Sequence, residues 1–399
     1  MLDKYFKKQR TNYIEVIKLN VCLNCGNNKF QYFGLNKNKQ LYCRLCLPFN
    51  GESAKKNDNL SKEKVTINLS YQLSKEQEEI SNKVKETFIN KKNSLIYAVC
   101  GAGKTELVYQ TMAYALEQGL QVGFTIPRRD VVIELEKRIK EVFPTKKVVS
   151  IYQDHSQELI GDIIILTTHQ LYRYKSYFDL LIIDEVDAFP FKDNYILNHF
   201  FNRSLKGNYI ILSATPSKQL IEEIKNKKGK LFSLTKRYHN HPLIVPSIQI
   251  KIFFKKLFLI GKINKYKKER KKLLIFVPTK DQCECLFNQI NIFCPNGNYV
   301  HSERKNRNKI IEEFKNNKYD YLVTTSVLER GITIPFLQVI VYDADHLIFD
   351  ADTLIQISGR VGRKKESWDG EVTFLANKKT KHMEEAINRI REANNENFL

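Results

Sequence analysis

From residue 71 onward, short apolar runs alternate with stretches whose apolar residues recur at helical spacing. Residues 95–99, 122–126, 148–152, 162–166, 180–183 and 209–212 read as strands, and helical patterns between them predict a parallel sheet flanked by helices. A second series at 273–277, 299–300, 321–324, 339–342 and 372–375 predicts another sheet of similar size. Between the two, 238–271 holds Pro242, Pro246 and a basic run, and reads as a connection with irregular or edge structure. The tail over 379–395 reads as a charged helix. The first 50 residues are organised around cysteine pairs, and 51–64 is polar enough to be a linker. The expected organisation is therefore a small module and linker over 1–64, one α/β domain over 65–240 and a second over 241–399.

Composition narrows this only slightly. A chain of 399 residues with 42% hydrophobic content can bury more than one core. No apolar run approaches the roughly 20 residues a membrane helix needs, and Met1-Leu2-Asp3-Lys4 is not a secretory start, so the expected location is inside the cell. Formal charge is 65 − 44 = +21, which fits a polyanionic partner such as nucleic acid or an anionic membrane face. A biased composition rich in Lys, Asn and Ile accounts for the same charge. Residues 1–64 carry 13 basic and five acidic side chains, and 251–272 carry ten basic and one acidic, the latter as either a binding surface or a solvated face.

Candidate chemistry begins with Ala98-Val99-Cys100-Gly101-Ala102-Gly103-Lys104-Thr105, set between a strand and a helical pattern over 105–118 that Gly119 closes. Its glycines let backbone N–H groups approach phosphate oxygens, Lys104 reaches the outer phosphates, and the Thr105 hydroxyl suits Mg2+. Anions also bind at helix N-termini, so this loop predicts a nucleoside triphosphate. Asp184-Glu185-Val186-Asp187 follows the apolar run 180–183, which puts its carboxylates at the ligand-binding edge of a parallel sheet. Asp184 is then placed to hold Mg2+ through water, and Glu185 to accept a proton from the attacking water.

Ser213-Ala214-Thr215 ends another strand, as a link to the Asp187 region or as a helix cap. In the second half, Gln356-Ile357-Ser358-Gly359-Arg360-Val361-Gly362-Arg363 sets two arginines beside glycines. Such fixed-charge planar donors suit the developing charge on a γ-phosphate. Thr167-Thr168-His169-Gln170 and Thr324-Thr325-Ser326-Val327-Leu328-Glu329-Arg330-Gly331-Ile332-Thr333 follow strands as well. Their hydroxyls and amides suit a nucleic-acid backbone or ordinary loop capping.

These elements and their order resemble the superfamily 2 helicases over residues 71–376. The phosphate loop looks like motif I, Thr125-Ile126-Pro127-Arg128 like Ia, 167–170 like Ib, 184–187 like II, 213–215 like III, 276–279 like IV, 324–333 like V and 356–363 like VI. The resemblance implies two tandem RecA-like domains with parallel sheets. It assigns catalysis to Lys104, Asp184, Glu185, Arg360 and Arg363, and ATP contacts to Gln77, Gly101, Ala102, Gly103, Lys104, Thr105, Asp187 and Gln356. Nucleic-acid contacts fall to Arg128, Thr168, His169, Thr325, Arg330 and Gly331. The chain departs from the DEAD-box subgroup in reading D-E-V-D at 184–187, Gln356 for histidine and Thr333 for aspartate. Gln77 is equally an ordinary surface-helix glutamine.

Eight cysteines are present, and Cys22-x2-Cys25 and Cys43-x2-Cys46, separated by 17 residues, match a four-cysteine zinc ribbon. Cys100, Cys283, Cys285 and Cys294 read as small core residues. Phe30, Tyr32, Phe33 and Tyr42 stand beside basic residues, either to stack on bases or to cover a small metal-dependent core. This module joined to the motor motifs resembles the late competence helicases of the ComFA type from Gram-positive bacteria, over nearly the whole chain. The resemblance implies an ATPase acting on single-stranded DNA during natural transformation, at the cytoplasmic face of a membrane channel. ComFC-type phosphoribosyltransferase-like and DprA-type recombination-mediator proteins are its implied partners. A replication-restart or repair helicase, an RNA helicase and a nucleotide-switched scaffold are the alternatives.

Overall fold

A computed structural model describes residues 17–18, 21–39, 41–186, 194–251, 253–325 and 334–395. Asp187, Arg330, Gly331 and Thr333 lie outside the described residues. The chain forms two compact units, one of residues 1–96 and 105–232, the other of 97–104 and 233–399. The amino-terminal module has two short antiparallel pairs, β1 (Ile17–Lys18) with β2 (Val21–Cys22), and β3 (Phe33–Leu35) with β4 (Leu41–Cys43).

The larger sheet contains β5 (Ser94–Ala98), β6 (Val122–Ile126), β7 (Val148–Ile151), β8 (Ile163–Thr167), β9 (Phe178–Asp184), β10 (Leu205–Ser213) and β11 (Lys230–Leu234), in the order β11-β5-β10-β9-β6-β8-β7. The β10–β9, β9–β6, β6–β8 and β8–β7 pairings are parallel. All five residues of β5, β6 and β8 are buried, as expected of strands covered on both faces. Around this sheet run α1 (Lys75–Ile89), α2 (Tyr109–Glu117), α3 (Arg129–Val142), α4 (Tyr195–Ser204) and α5 (Lys218–Asn226). Sequence marks their starts: Asn194 caps α4 through Ile196 and Leu197 N–H, and Ser217 caps α5 through Leu220 N–H.

The second sheet orders β12 (Ser247–Ile250), β13 (Lys272–Phe276), β14 (Gly297–Val300), β15 (Tyr321–Thr324), β16 (Leu337–Tyr342) and β17 (Val372–Ala376) as β12-β17-β16-β13-β15-β14, all parallel. Its helices are α6 (Lys255–Lys268), α7 (Lys280–Asn291), α8 (Arg307–Lys315), α9 (Ala351–Ser358) and α10 (Lys381–Asn394). Alternation along β13 builds two cores. Leu274 and Phe276 join Phe314, Leu354 and Met383 of α8, α9 and α10, while Leu273 and Ile275 join Leu259, Ile263 and Leu286 of α6 and α7.

Three sequence expectations change. The helix expected over 105–118 is a 3-10 turn, Glu106–Val108, followed by α2. The region 238–271 holds edge strand β12, in keeping with the edge structure expected there, but also the 14-residue α6, which was not expected. The polar stretch 51–64 is strapped to the first α/β unit: Arg173 Nη1 donates to Glu52 O at 2.7 Å, and buried Asn57 donates to Gly161 O at 3.1 Å. Side chains from that unit satisfy this backbone, so its polarity does not make it a free linker.

Candidate nucleotide site and metal centre

At the end of β5 the chain turns through Gly101 and Gly103, whose φ values of +85° and +82° lie in the left-handed region. A side chain is strained there, and between the two glycines the Ala102 N–H donates back to Val99 O at 3.1 Å, which makes this a tight glycine turn of the kind from which anion cradles are built. Ala102 is buried and Lys104 and Thr105 are half-buried. The Thr105 side chain caps nothing in the 3-10 turn that follows, and its hydroxyl is of the kind that ligates Mg2+. The residues fit an ATP–Mg2+ group by this loop geometry.

Asp184 ends β9, in register with Leu212 of β10, one residue before Ser213. Its Oδ1 accepts the Glu185 N–H at 2.8 Å, and the same N–H bonds Leu212 O at 3.2 Å. Glu185 has φ +60°, an uncommon conformation for a glutamate and one that concentrates at functional sites. Buried Ser213 accepts the Thr215 N–H at 3.0 Å. Gln77 closes a capping box: its N–H donates to Ser74 Oγ at 3.2 Å and its Oε1 accepts the Ser74 N–H at 2.9 Å. Arg128 is half-buried at the N-cap of α3, Thr168 is buried and His169 is exposed.

In the second sheet's domain, buried Gln356 lies in α9, whose C-cap is Gly359. Arg360 is buried, and half-buried Arg363 donates Nε–H to Gly359 O at 2.9 Å. Thr325 is buried after β15. Sequence reasoning missed Arg237. Its side chain is 1% exposed and donates to the carbonyls of Val361 (2.9 Å), Gly359 (3.4 Å), Cys100 (3.2 Å) and Gly362. Burial lowers its pKa to about 10, which leaves it charged at neutral pH. Nothing in the run Thr235-Lys236-Arg237 separates it from its neighbours.

The four module cysteines converge. Their Sγ atoms lie within 4.8 Å of one another, with Cys22, Cys25 and Cys43 buried and Cys46 half-buried. A tetrahedral Zn2+ at about 2.3 Å from each sulfur needs sulfurs about 3.8 Å apart; Cys22 to Cys46 is 3.4 Å and Cys25 to Cys43 is 3.7 Å. Hydrogen bonds from Cys25 and Cys46 hold the Cys22 pKa down to about 2, while the bonds to Cys22 push Cys25 up to about 12 and raise Cys46. Four sulfurs at this spacing form the donor set of a tetrahedral zinc site. Of the remaining cysteines, Cys283 and Cys294 are buried as expected. Cys100 is half-buried in the phosphate loop and Cys285 is exposed, because the helix face it occupies points away from the core.

The module is built into the motor body. Cys22, Cys25 and Cys43 share one core with Leu166, Leu181, Leu197 and Phe200. Phe49 meets Phe200 edge-on at 4.9 Å, and Gly51 N–H donates to Tyr172 OH at 3.0 Å. Gly26, at φ +73°, leaves no room for a side chain against His199 of α4. Phe33 packs on this core whereas Phe30 is exposed. A cleft of about 630 Å³ opens beside this contact, lined by Cys43 and Cys46 of the module and by Tyr172, Arg173 and Arg203 of the body.

A phosphate loop and strand-end carboxylates on one RecA-like sheet, with a second such sheet after it, define an ATP-hydrolysing helicase of superfamily 2. The family described as "Type III restriction enzyme, res subunit" matches residues 70–218, and "Helicase conserved C-terminal domain" matches 254–365. The Bacillus subtilis protein named "Competence protein ComFA" is 35% identical, covering 94% of this chain and 85% of that relative. Its Streptococcus pneumoniae counterpart is 33% identical over 82% of this chain and 78% of its own length. The chain belongs to the ComFA family of competence helicases. Saccharomyces cerevisiae Dbp5 bound to RNA and ADP BeF3 shares the fold, with a TM-score of 0.63, 19% identity, and coverage of 81% of this chain and 88% of that one. Among the described residues, no helix is long and apolar enough to cross a membrane.

Proposed function

We propose that this chain is an ATP-driven single-stranded DNA translocase that assists DNA uptake in competence, built as a zinc module over 1–64 and motor domains over 65–240 and 241–399. One observation carries this reading: the likeness to the Bacillus subtilis competence protein runs through module and motor alike, over 94% of the chain. Backbone N–H groups around Gly101, Ala102 and Gly103 cradle the phosphates, and Lys104 neutralises the outer ones. Thr105 and Asp184 would hold Mg2+, which would supply further charge neutralisation. Glu185 accepts the proton of the attacking water, and Arg360 and Arg363 meet the charge that develops on the transferred phosphoryl. Gln77, Asp187 and Gln356 complete the nucleotide contacts. The strand is gripped through Arg128, Thr168, His169, Thr325, Arg330 and Gly331.

The setting we propose is the cytoplasmic face of a membrane DNA channel, with ComFC-type and DprA-type partners. The test is ATP turnover measured in parallel with single-stranded DNA, duplex DNA and RNA. Single-stranded DNA should stimulate most, and Lys104→Ala and Glu185→Gln should each lower turnover by about 10²-fold or more, the latter with ATP binding retained. Preference for duplex DNA points to a repair helicase, preference for RNA to an RNA helicase, and no stimulation to a nucleotide-switched scaffold. Wild-type turnover in either variant sinks the site assignment.

A further inference from the structure

Zinc held by four thiolates leaves a net charge of about −2 on the site. Here that charge falls where Cys22 and Cys25 are fully buried and Cys43 is 5% exposed. Buried net charge is costly unless an opposite charge or hydrogen-bond donors meet it. The module itself offers the Asn27 amide, which donates to Cys43 Sγ at 3.6 Å. A full cation comes from the motor body. Arg203, near the end of α4, donates through Nη1 to Asn24 Oδ1, between the first two cysteines, and through Nη2 to Tyr172 O. Its Nε is buried with no hydrogen-bond partner among the described residues. Burial disfavours the guanidinium charge, and the nearby Cys46, Cys22 and Cys25 favour it.

Two hydrogen bonds alone would make Arg203 a clamp between Asn24 and Tyr172. The clamp does not account for a buried, unpaired Nε–H on a guanidinium near Cys46, Cys22 and Cys25, whereas a tetrathiolate dianion does. We propose that Arg203 is the outer-sphere counter-charge of the zinc site, a positioning residue through which metal loading fastens the module to α4. The proposal rests on the zinc reading of the cysteine cluster. Its consequence reaches the motor, because α4 is the segment between β9, which ends in Asp184, and β10, which ends in Ser213. Metal loading would thereby brace the crossover between two strands that carry nucleotide-site residues.

The test uses the full chain loaded with zinc. Metal content is measured first, with the Cys22→Ala/Cys25→Ala variant as control. Zinc release on treatment with a thiol-modifying reagent is then followed by a metal-indicator dye. Arg203→Gln, which keeps amide donors and loses the charge, should release zinc about tenfold faster than wild type, the scale of losing an outer-shell partner. Arg203→Lys should stay within about threefold, and Asn24→Ala, which removes the clamp and leaves the charge, should match wild type. Wild-type chain that holds no zinc overturns the zinc reading itself. Zinc-loaded protein in which Arg203→Gln releases metal at the wild-type rate, or in which Asn24→Ala releases it as fast as Arg203→Gln, overturns the counter-charge and leaves the zinc site standing.

Discussion

Arg237 shows how much one buried charge can organise. Its four acceptors are backbone carbonyls, three of them in the segment 359–362 that follows α9 and carries Arg360. Removing the guanidinium strands buried carbonyls, each worth about 1–3 kcal/mol when left unsatisfied. Arg237→Met should therefore destabilise the second domain by about 3 kcal/mol, and Arg237→Lys, which keeps the charge and loses the fork, by about half of that. Trp368, the chain's only tryptophan, stacks on His241 at 4.2 Å and reports unfolding there by fluorescence. A shift in the denaturation midpoint too small to register as about 0.5 kcal/mol would contradict this role. Lys104 and Asp184 stand out as candidates in the sequence because motif spacing names them. Arg237 does not, because its role depends on carbonyls more than 100 residues away in sequence. The φ +60° of Glu185 was equally invisible, since a dihedral leaves no mark in composition.

Among elements, most strands of both sheets were legible, because strands buried on both faces are continuous apolar runs. Helix α6 was not. Leu257 is 63% exposed while Leu259 and Ile263 are buried, so apolar residues occupy more than one face and blur the helical period. The basic run was also legible only as charge. Much of it is engaged inside the domain: Lys262 and Lys265 meet Glu371 at 2.6 Å each, Tyr266 OH donates to it at 2.7 Å, and Lys267 meets Asp320 at 3.5 Å. Burial alone would raise the Glu371 pKa, and the bonds from Lys262, Lys265 and Tyr266 outweigh it and hold the carboxyl at about 2, below the usual 4.5. A depressed folded-state pKa contributes stability above the unfolded value and loses it as pH falls towards the folded one. Glu371 is exposed enough for solvent to screen most of this, so Glu371→Gln should cost about 1 kcal/mol at pH 7. The difference from wild type should shrink between about pH 4.5 and pH 2 in denaturant titrations. A difference that grows in that window would reverse the assignment.

For the whole molecule, the convergence of the four cysteines and the two α/β domains were readable from spacing and periodicity, whereas the seat of the module was not. It depends on Phe49, Tyr172, Phe200 and Arg203 meeting across distant parts of the chain. A net charge of +21 likewise does not report how many cations face a polyanion. Lysines paired with Glu371 are already neutralised and release few counterions; Arg128, just after β6, is a proposed strand contact. Single-stranded DNA binding should weaken with salt by about 0.7 in log–log slope for each phosphate neutralised. Arg128→Ala should then flatten that slope by about 0.7, and Lys265→Gln should leave it unchanged, measured by fluorescence anisotropy across a salt series. The opposite pattern, with Lys265→Gln flattening the slope and Arg128→Ala not, would move the DNA track onto α6. It would also mean that the Glu371 pairs open when DNA binds, so the same titration reports both the path of the strand and the strength of those pairs.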